Sequence, residues 1–210
     1  MNALNKLRYP LSLAASVAIL AGCASQGVRN PSGVGVTEMR PDERGFVSGT
    51  GIESQDIVAV ADEMARGILG VPQITSSVRA PSIVLLPVKN DTRFPFNKDI
   101  LLEEIKTLLN ERSAGKVRFL ARDRMVELQK ERELKQSGQV TSSTDPRPVQ
   151  MKGADFFLTG KLMGQSTRTA AGLSDYVLYS FELIDPNTSE VIWNGSHRIK
   201  KQGQVDAVYR

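Results

Sequence analysis

The chain is short of reactive side chains. Its 210 residues include one cysteine, one histidine and one tryptophan, and aromatics make up only 6%. One Cys and one His cannot form a Cys/His zinc site within a single chain. A lone Cys has no intrachain disulfide partner. Any Ser-His-Asp constellation would have to use His197. No apolar run reaches the roughly 20 residues that cross a bilayer. What remains is an ordinary globular balance, with 40% hydrophobic and 24% charged residues and a formal charge of +4. The length suits one domain with extensions.

The single Cys stands at an informative place. Lys6 and Arg8 form a positive n-region, and Leu11 to Ala21 is an apolar run of h-region length. Leu20-Ala21-Gly22-Cys23 then resembles the lipobox of bacterial lipoproteins. That resemblance implies cleavage after Gly22 and lipid attachment at Cys23. The simpler reading is an ordinary signal peptide with a chance Cys. Two or more acyl chains, at about 0.8 kcal/mol per buried CH₂, make a stable anchor. Ala24 in place of Asp favours the outer membrane, by analogy with lipoprotein sorting. Removing residues 1–22 takes away Lys6 and Arg8 and lowers the formal charge from +4 to +2. Nucleic acid is therefore not an expected partner.

Residues 23–52 read as the lipidated Cys and a tether, with six glycines and two prolines after Cys23. A Gly-rich coil of that length has a reach of roughly 30 Å. Phe46 and Val47 could instead pack on the domain. Residues 53–210 carry the periodic elements. Ser54 is positioned to cap a helix running through Gly67, with Ile57, Val60, Ala61, Met64 and Ile68 on its apolar face. Ser82 to Val88 reads as a buried strand. Asn97 caps a second helix, with Asp99 in its first turn and Leu101, Ile105 and Leu108 inward. Gly115 ends it, and residues 116–120 form a short strand. A charged helix follows from Arg122 to Lys135, with Met125, Leu128 and Val126 inward.

A polar stretch over 137–153 precedes three strands near 155–166, 175–185 and 190–200. The alternation of Val177, Tyr179, Phe181 and Leu183 marks a sheet with one covered face. Val191, Trp193, His197 and Ile199 face one way on the last strand, and Asn194, Ser196, Arg198 and Lys200 the other. The expected fold class is α/β (α+β): a single mixed β-sheet with helices packed on one face. The first strand–helix–strand unit should be a right-handed parallel crossover and the last three strands an antiparallel meander.

Three segments carry a family resemblance. They are Val84-Leu85-Leu86-Pro87-Val88-Lys89-Asn90-Asp91-Thr92, Gly153-Ala154-Asp155-Phe156-Phe157-Leu158 and Glu190-Val191-Ile192-Trp193-Asn194-Gly195. With the lipobox, they resemble the LpoB family of outer-membrane lipoproteins, which activate class A penicillin-binding proteins. The resemblance implies a non-catalytic domain on a tether, similar in fold to the N-terminal domain of TolB and docking on the periplasmic part of a peptidoglycan synthase. It implies no cofactor, no metal and no small-molecule substrate. The tether departs from the family pattern, being short and Gly-rich rather than long and Pro-rich. A structural or secretion-associated lipoprotein of a curli-export-like assembly is the competing reading.

Candidate sites follow the same logic. Ser113-Ala114-Gly115-Lys116 matches S-x-x-K, but Ser113 ends a helix instead of starting one. Ser174-Asp175-Tyr176 lacks the Asn of S-D-N, and Thr159-Gly160-Lys161 reverses K-T-G. Gly33-x-Gly35 lies outside any strand-to-helix turn. His197 reads as a structural histidine, and Glu103-Glu104 as a solvated helix face. No catalytic residue is assigned. The partner-binding candidates are Arg93, Phe94 and Phe96, in a loop at the carboxyl end of the first strand where open α/β sheets bind ligands. Both Phe residues could equally fold inward over the core. Arg168, at a polar bend between strands, is a further candidate or merely a hairpin tip.

Overall fold

A computed structural model describes residues 35–141 and 151–204. The chain divides at Arg40/Pro41 into two units. Residues 35–40, the described part of the first unit, take no helix or strand. Cys23 and the signal segment lie outside the described residues. Everything below concerns the second unit.

Helix α1 spans Ser54–Leu69. Glu53, not Ser54, is its N-cap, in a capping box with Asp56. The Glu53 N–H donates to Asp56 Oδ2 at 2.9 Å. A carboxylate three residues past the cap satisfies an orphan donor and suits the positive helix end, so it displaces Ser54 from the role. Val60, Ala61, Met64 and Ile68 are buried as their spacing requires, and the helix runs two residues past Gly67 to a cap at Gly70. A single turn, α2, follows at Pro72–Thr75.

The expected strand over 82–88 is two strands. β1 is Ser82–Leu85 and β2 is Lys89–Asp91. Leu86 still donates its N–H to the Leu158 carbonyl at 2.9 Å. Pro87 has no N–H to give, so the ladder stops there. It resumes along the same neighbour with a one-residue slip, Leu85 facing Leu158 and Lys89 facing Lys161. Helix α3, Lys98–Arg112, starts as expected, the Asn97 side chain accepting the Asp99 N–H at 3.0 Å. Ala114 and Gly115 then take left-handed backbone, φ 49° and 82°, and end it. β3 is only Arg118–Phe119 and pairs parallel with β1.

After a 3-10 turn at Arg122–Arg124, helix α4 spans Met125–Gln136. Here the expected inward face fails. No residue of α4 is buried, Val126 is 80% exposed and Leu128 40%. Six of its twelve residues are charged, too few being apolar to form a stripe that the sheet could cover.

Three long strands complete the fold: β4 (Phe156–Thr169), β5 (Gly172–Ile184) and β6 (Val191–Gly203). They form the antiparallel meander and are longer at the β4–β5 turn than expected. The sheet order is β3-β1-β4-β5-β6, with β2 also on β4. Helices α1 and α3 pack together on one face of this mixed sheet. Leu158, Leu162, Tyr179, Phe181 and Leu183 meet them there, all at 0% exposure. Each such aliphatic or aromatic side chain contributes about 1.5–3 kcal/mol by burial. Gly195 and Gly67 make room for the Trp193 indole, and a Cβ at either would stand within 2.6 Å of it. A register shift at Leu183/Ile184 turns Val191 outward, 52% exposed, instead of joining Trp193.

Candidate functional site

The Asn90–Phe96 loop is built by its own side chains. Asn90 accepts the Thr92 N–H at 3.0 Å and donates through Nδ2 to the Phe94 carbonyl at 2.8 Å. The Thr92 hydroxyl donates to Asn90 Oδ1 at 2.7 Å. These bonds close a tight turn that competes with extended backbone. The turn lies on Gly164 of β4, whose bare Cα lets Thr92 approach; a Cβ there would be 3.1 Å from the Thr92 Cβ. Before the turn, the Asp91 carboxylate bridges Lys161 at 3.1 Å and Lys89 at 3.3 Å. Lys161 foremost, with Lys89, holds that carboxyl below its usual range against the opposing effect of desolvation.

The turn aims Arg93 at Asp175 of β5. Arg93 Nε donates to Oδ1 at 3.0 Å and Nη2 to Oδ2 at 2.6 Å, a bidentate fork. The Asp175 side chain is 1% exposed and that of Arg93 38%. The Ser166 hydroxyl, directly across the β4–β5 ladder, donates to the same carboxylate. Burial pushes the Asp175 carboxyl up, but Arg93 and then Ser166 outweigh it and hold it below the ordinary carboxylate value. The same pair raises the Arg93 guanidinium, which also lies over the Phe94 ring, 4.5 Å from its centroid. Phe94 and Phe96 pack against the hydrophobic core. Of the two readings open for them, the inward one holds. Arg168 sits two residues beyond Ser166 on β4, toward the turn, and is exposed.

Opposite Asp175 on β6 stands Lys201. Its ammonium donates to Asp56 Oδ2 at 2.6 Å and to the Gly51 carbonyl at 2.9 Å. Gly49 donates its N–H to Glu53 Oε1 at 2.6 Å. Residues 49–51 are thereby fastened to α1 and β6, with Thr50 and Gly51 buried. Phe46 and Val47 do not pack on the domain, being 81% and 69% exposed.

Ser166 and Lys201 are not candidates from sequence, and Asp175 enters there only through the incomplete S-D-N match, yet a signal is present. Asp175 has the same parity as the buried Val177 and Tyr179. A carboxylate on a core face demands a cation, and Arg93, in a loop at the sheet's end, was available. His197 takes the covered face as expected, with its Nδ1 paired to Glu63 Oε2 of α1. Ser113 is the buried C-cap of α3, one residue before the left-handed turn, so the S-x-x-K spacing does not fall on a helix face.

A second concavity, about 620 Å³, opens at the carboxyl ends of β1 and β3. Leu85, Leu102, Phe119 and Leu120 contribute apolar surface, and its charged residues are three acids and three bases. Several are already engaged: Lys106 with Glu103, Arg124 with Asp123, and Arg122 with the Lys152 carbonyl. Among the described residues no group of His, Cys, Asp and Glu could hold a metal ion, and no helix is long and apolar enough to cross a membrane.

The two-layer α+β domain thus carries a loop closed by its own hydrogen bonds and a buried carboxylate held by Arg93. Comparison with known proteins narrows the class. The family described as peptidoglycan-synthase activator LpoB matches residues 56–199, and the chain belongs to that family. Solved structures similar to it include the LpoB C-terminal domain from Salmonella enterica, at 15% identity and a TM-score of 0.40, covering 66% of this chain and 96% of that one. An NMR structure of Escherichia coli LpoB, at 13% identity and TM-score 0.37, covers 96% and 91%. Lipoprotein GNA1162 from Neisseria meningitidis, at 19% and 0.37, covers 58% and 83%. No curated protein matches the sequence.

Proposed function

We propose that this chain is an outer-membrane lipoprotein that binds and activates a class A penicillin-binding protein. The family match over residues 56–199 carries the proposal. In this reading residues 1–22 are the signal peptide and 23–52 the lipidated Cys23 and tether. Residues 53–210 are the docking domain, which performs no chemistry of its own. The lipobox-like Leu20-Ala21-Gly22-Cys23 supports the anchor. Arg93 acts by fixing the loop that shapes the end of the sheet, and Phe94 and Phe96 support that loop from below. Arg168, exposed toward the turn end of β4, is the one of the four with no contact in the loop or core.

The test uses the full lipidated chain in detergent with each class A synthase of the same organism. The expected result is a saturable complex and faster glycan polymerisation by the synthase. Absence of both with every such synthase defeats the proposal. A large ring-sized homo-oligomer without synthase binding would instead favour the export-assembly reading.

A further inference from the structure

Asp56 and Asp175, the buried charges among the described residues, lie on one side of the sheet. On the side covered by α1 and α3, Asp175, Asp56 and His197 all have partners. The opposite face of the β4–β5–β6 meander is covered by no described element. Its rows can be read from the register: Met163 beside Leu178 beside Arg198, and Gln165 beside Tyr176 beside Lys200. Met163, Leu178 and Tyr176 are half-buried, and none joins the core cluster. Arg198 and Lys200 are exposed and make no ion pair among the described residues. Lys161, one row away, shares Asp91 with Lys89. Glu182 is the one further acid on the face of these three strands. An apolar strip with unpaired cations along one side is left over.

We infer that this open sheet face is the surface on which the domain docks its partner, and that the partner presents an acidic protein surface with an apolar centre. The inference rests on the proposed function for the kind of partner and adds the site and its chemistry. An interface core is depleted of charge and its rim is polar. Met163, Leu178 and Tyr176 supply such a core, and Arg198 and Lys200 supply a rim of one sign. Leaving two cations side by side unpaired costs little in water and becomes favourable when acids approach, which also steers encounter. The aliphatic pair at the centre favours protein over an anionic glycan, because Met163 and Leu178 offer no hydrogen-bond partners to the hydroxyls a sugar would bring. The helices lie on the other face, so docking needs no rearrangement of the fold.

The test measures the affinity of the full lipidated chain in detergent for the purified class A synthase, at low and raised salt. Arg198→Glu/Lys200→Glu should weaken binding at least about tenfold at low salt, with the difference shrinking as salt screens the rim. Leu178→Lys should weaken it at all salt concentrations. Lys130→Glu on α4 should leave it within about twofold, since an isolated exposed charge outside the contact contributes little. If the double reversal alters the far-ultraviolet spectrum or the Trp193 emission, the milder Arg198→Gln and Lys200→Gln replace it, each with an expected loss of about threefold. A wild-type complex that the face variants leave unchanged overturns the surface alone. Failure of the wild-type chain to bind removes the functional reading and this inference with it. Loss of binding to purified peptidoglycan in the same variants, with synthase binding kept, would show a glycan occupant and overturn the inference.

Discussion

Removing the Arg93 side chain should cost more than its exposure suggests, because the penalty falls on its partner. Asp175 is 1% exposed and accepts two bonds from Arg93 and one from Ser166. Breaking a fully buried pair typically costs 3–5 kcal/mol, since a charge is left buried and unpaired. Arg93 is 38% exposed, so part of its attraction is screened by water, and Ser166 remains. We expect about 2–3 kcal/mol for Arg93→Ala. In a domain of this size that lowers Tm by roughly 5–10 °C. Asp175→Asn should cost less, about 1–2 kcal/mol, because the released guanidinium can reach water and Asn still accepts a bond. Thermal unfolding followed by Trp193 emission measures both. A loss below about 1 kcal/mol for Arg93→Ala, or a larger loss for Asp175→Asn, would refute the assignment of the penalty to the buried carboxylate.

The pH dependence gives the sign independently. Asp175 has a folded-state pKa held below the unfolded value by Arg93 and Ser166. Its contribution is therefore fully present above the unfolded carboxylate value, near pH 4, and is lost as pH falls through the lower folded value. In Arg93→Ala burial is left opposed only by the remaining hydrogen bonds, and the Asp175 pKa should rise. Protonation then relieves the buried charge, so the gap between variant and wild type should narrow as pH falls toward 4. A gap that stays constant between pH 7 and pH 4 contradicts this linkage.

Other expectations follow from the same geometry. Gly160→Ala places a Cβ 2.5 Å from the buried Phe181 ring, and overpacking of this kind costs about 1–3 kcal/mol; Phe181→Leu in the same chain should recover part of it. Gly195→Ala, 2.3 Å from the Trp193 indole, should shift the Trp193 emission; an unchanged spectrum would count against the packing. Lys201→Met breaks the bonds to Asp56 and Gly51 and should expose residues 49–52 to protease before the domain unfolds, with a stability loss of about 1.5–3 kcal/mol. Cys23→Ser should release the chain from membranes, and retained tight association would sink the lipid anchor.

Much of the fold could be read from alternation. The meander was legible because Val177, Tyr179, Phe181 and Leu183 obey a period of two, and α3 because Asn97 and Asp99 announce its start. The strand over 82–88 was overextended because apolarity was weighed above Pro87, whose missing N–H interrupts the ladder. On α4, the expectation that Met125, Val126 and Leu128 face inward rests on hydrophobicity alone; Val126 and Leu128 are exposed and Met125 only half-buried, because apolar residues scattered along a charged helix do not define a face. The site was half legible. Arg93 and its loop were found by their place at a strand's carboxyl end. Its partner lies 82 residues away in sequence, and only the register that sets Ser166 opposite Asp175 brings the three together.

The arrangement of charge fastens the Arg93 end of the sheet and leaves the open face available. Asp175 and Lys201 are directly opposed on β5 and β6, a separation of about 5 Å between their Cβ atoms. With Arg93 on one side and Asp56 on the other, the signs alternate along a row: plus, minus, plus, minus. Each member gains from its neighbours and loses if one is removed. The row also joins a loop, two strands, a helix and, through the Gly51 carbonyl, the last residues of the Gly-rich segment. Four ionisable groups are thus used to hold elements whose apolar contact at the sheet's end is thin, Arg93 being the only one more than a third exposed. Arg198 and Lys200 were not drawn into any such row. On an edge strand, unpaired cations discourage pairing with another strand, and on a face they await an acid. The second role makes the sharper demand, because edge protection requires only that charge be present, whereas docking requires it beside an uncovered apolar strip, as Met163 and Leu178 provide.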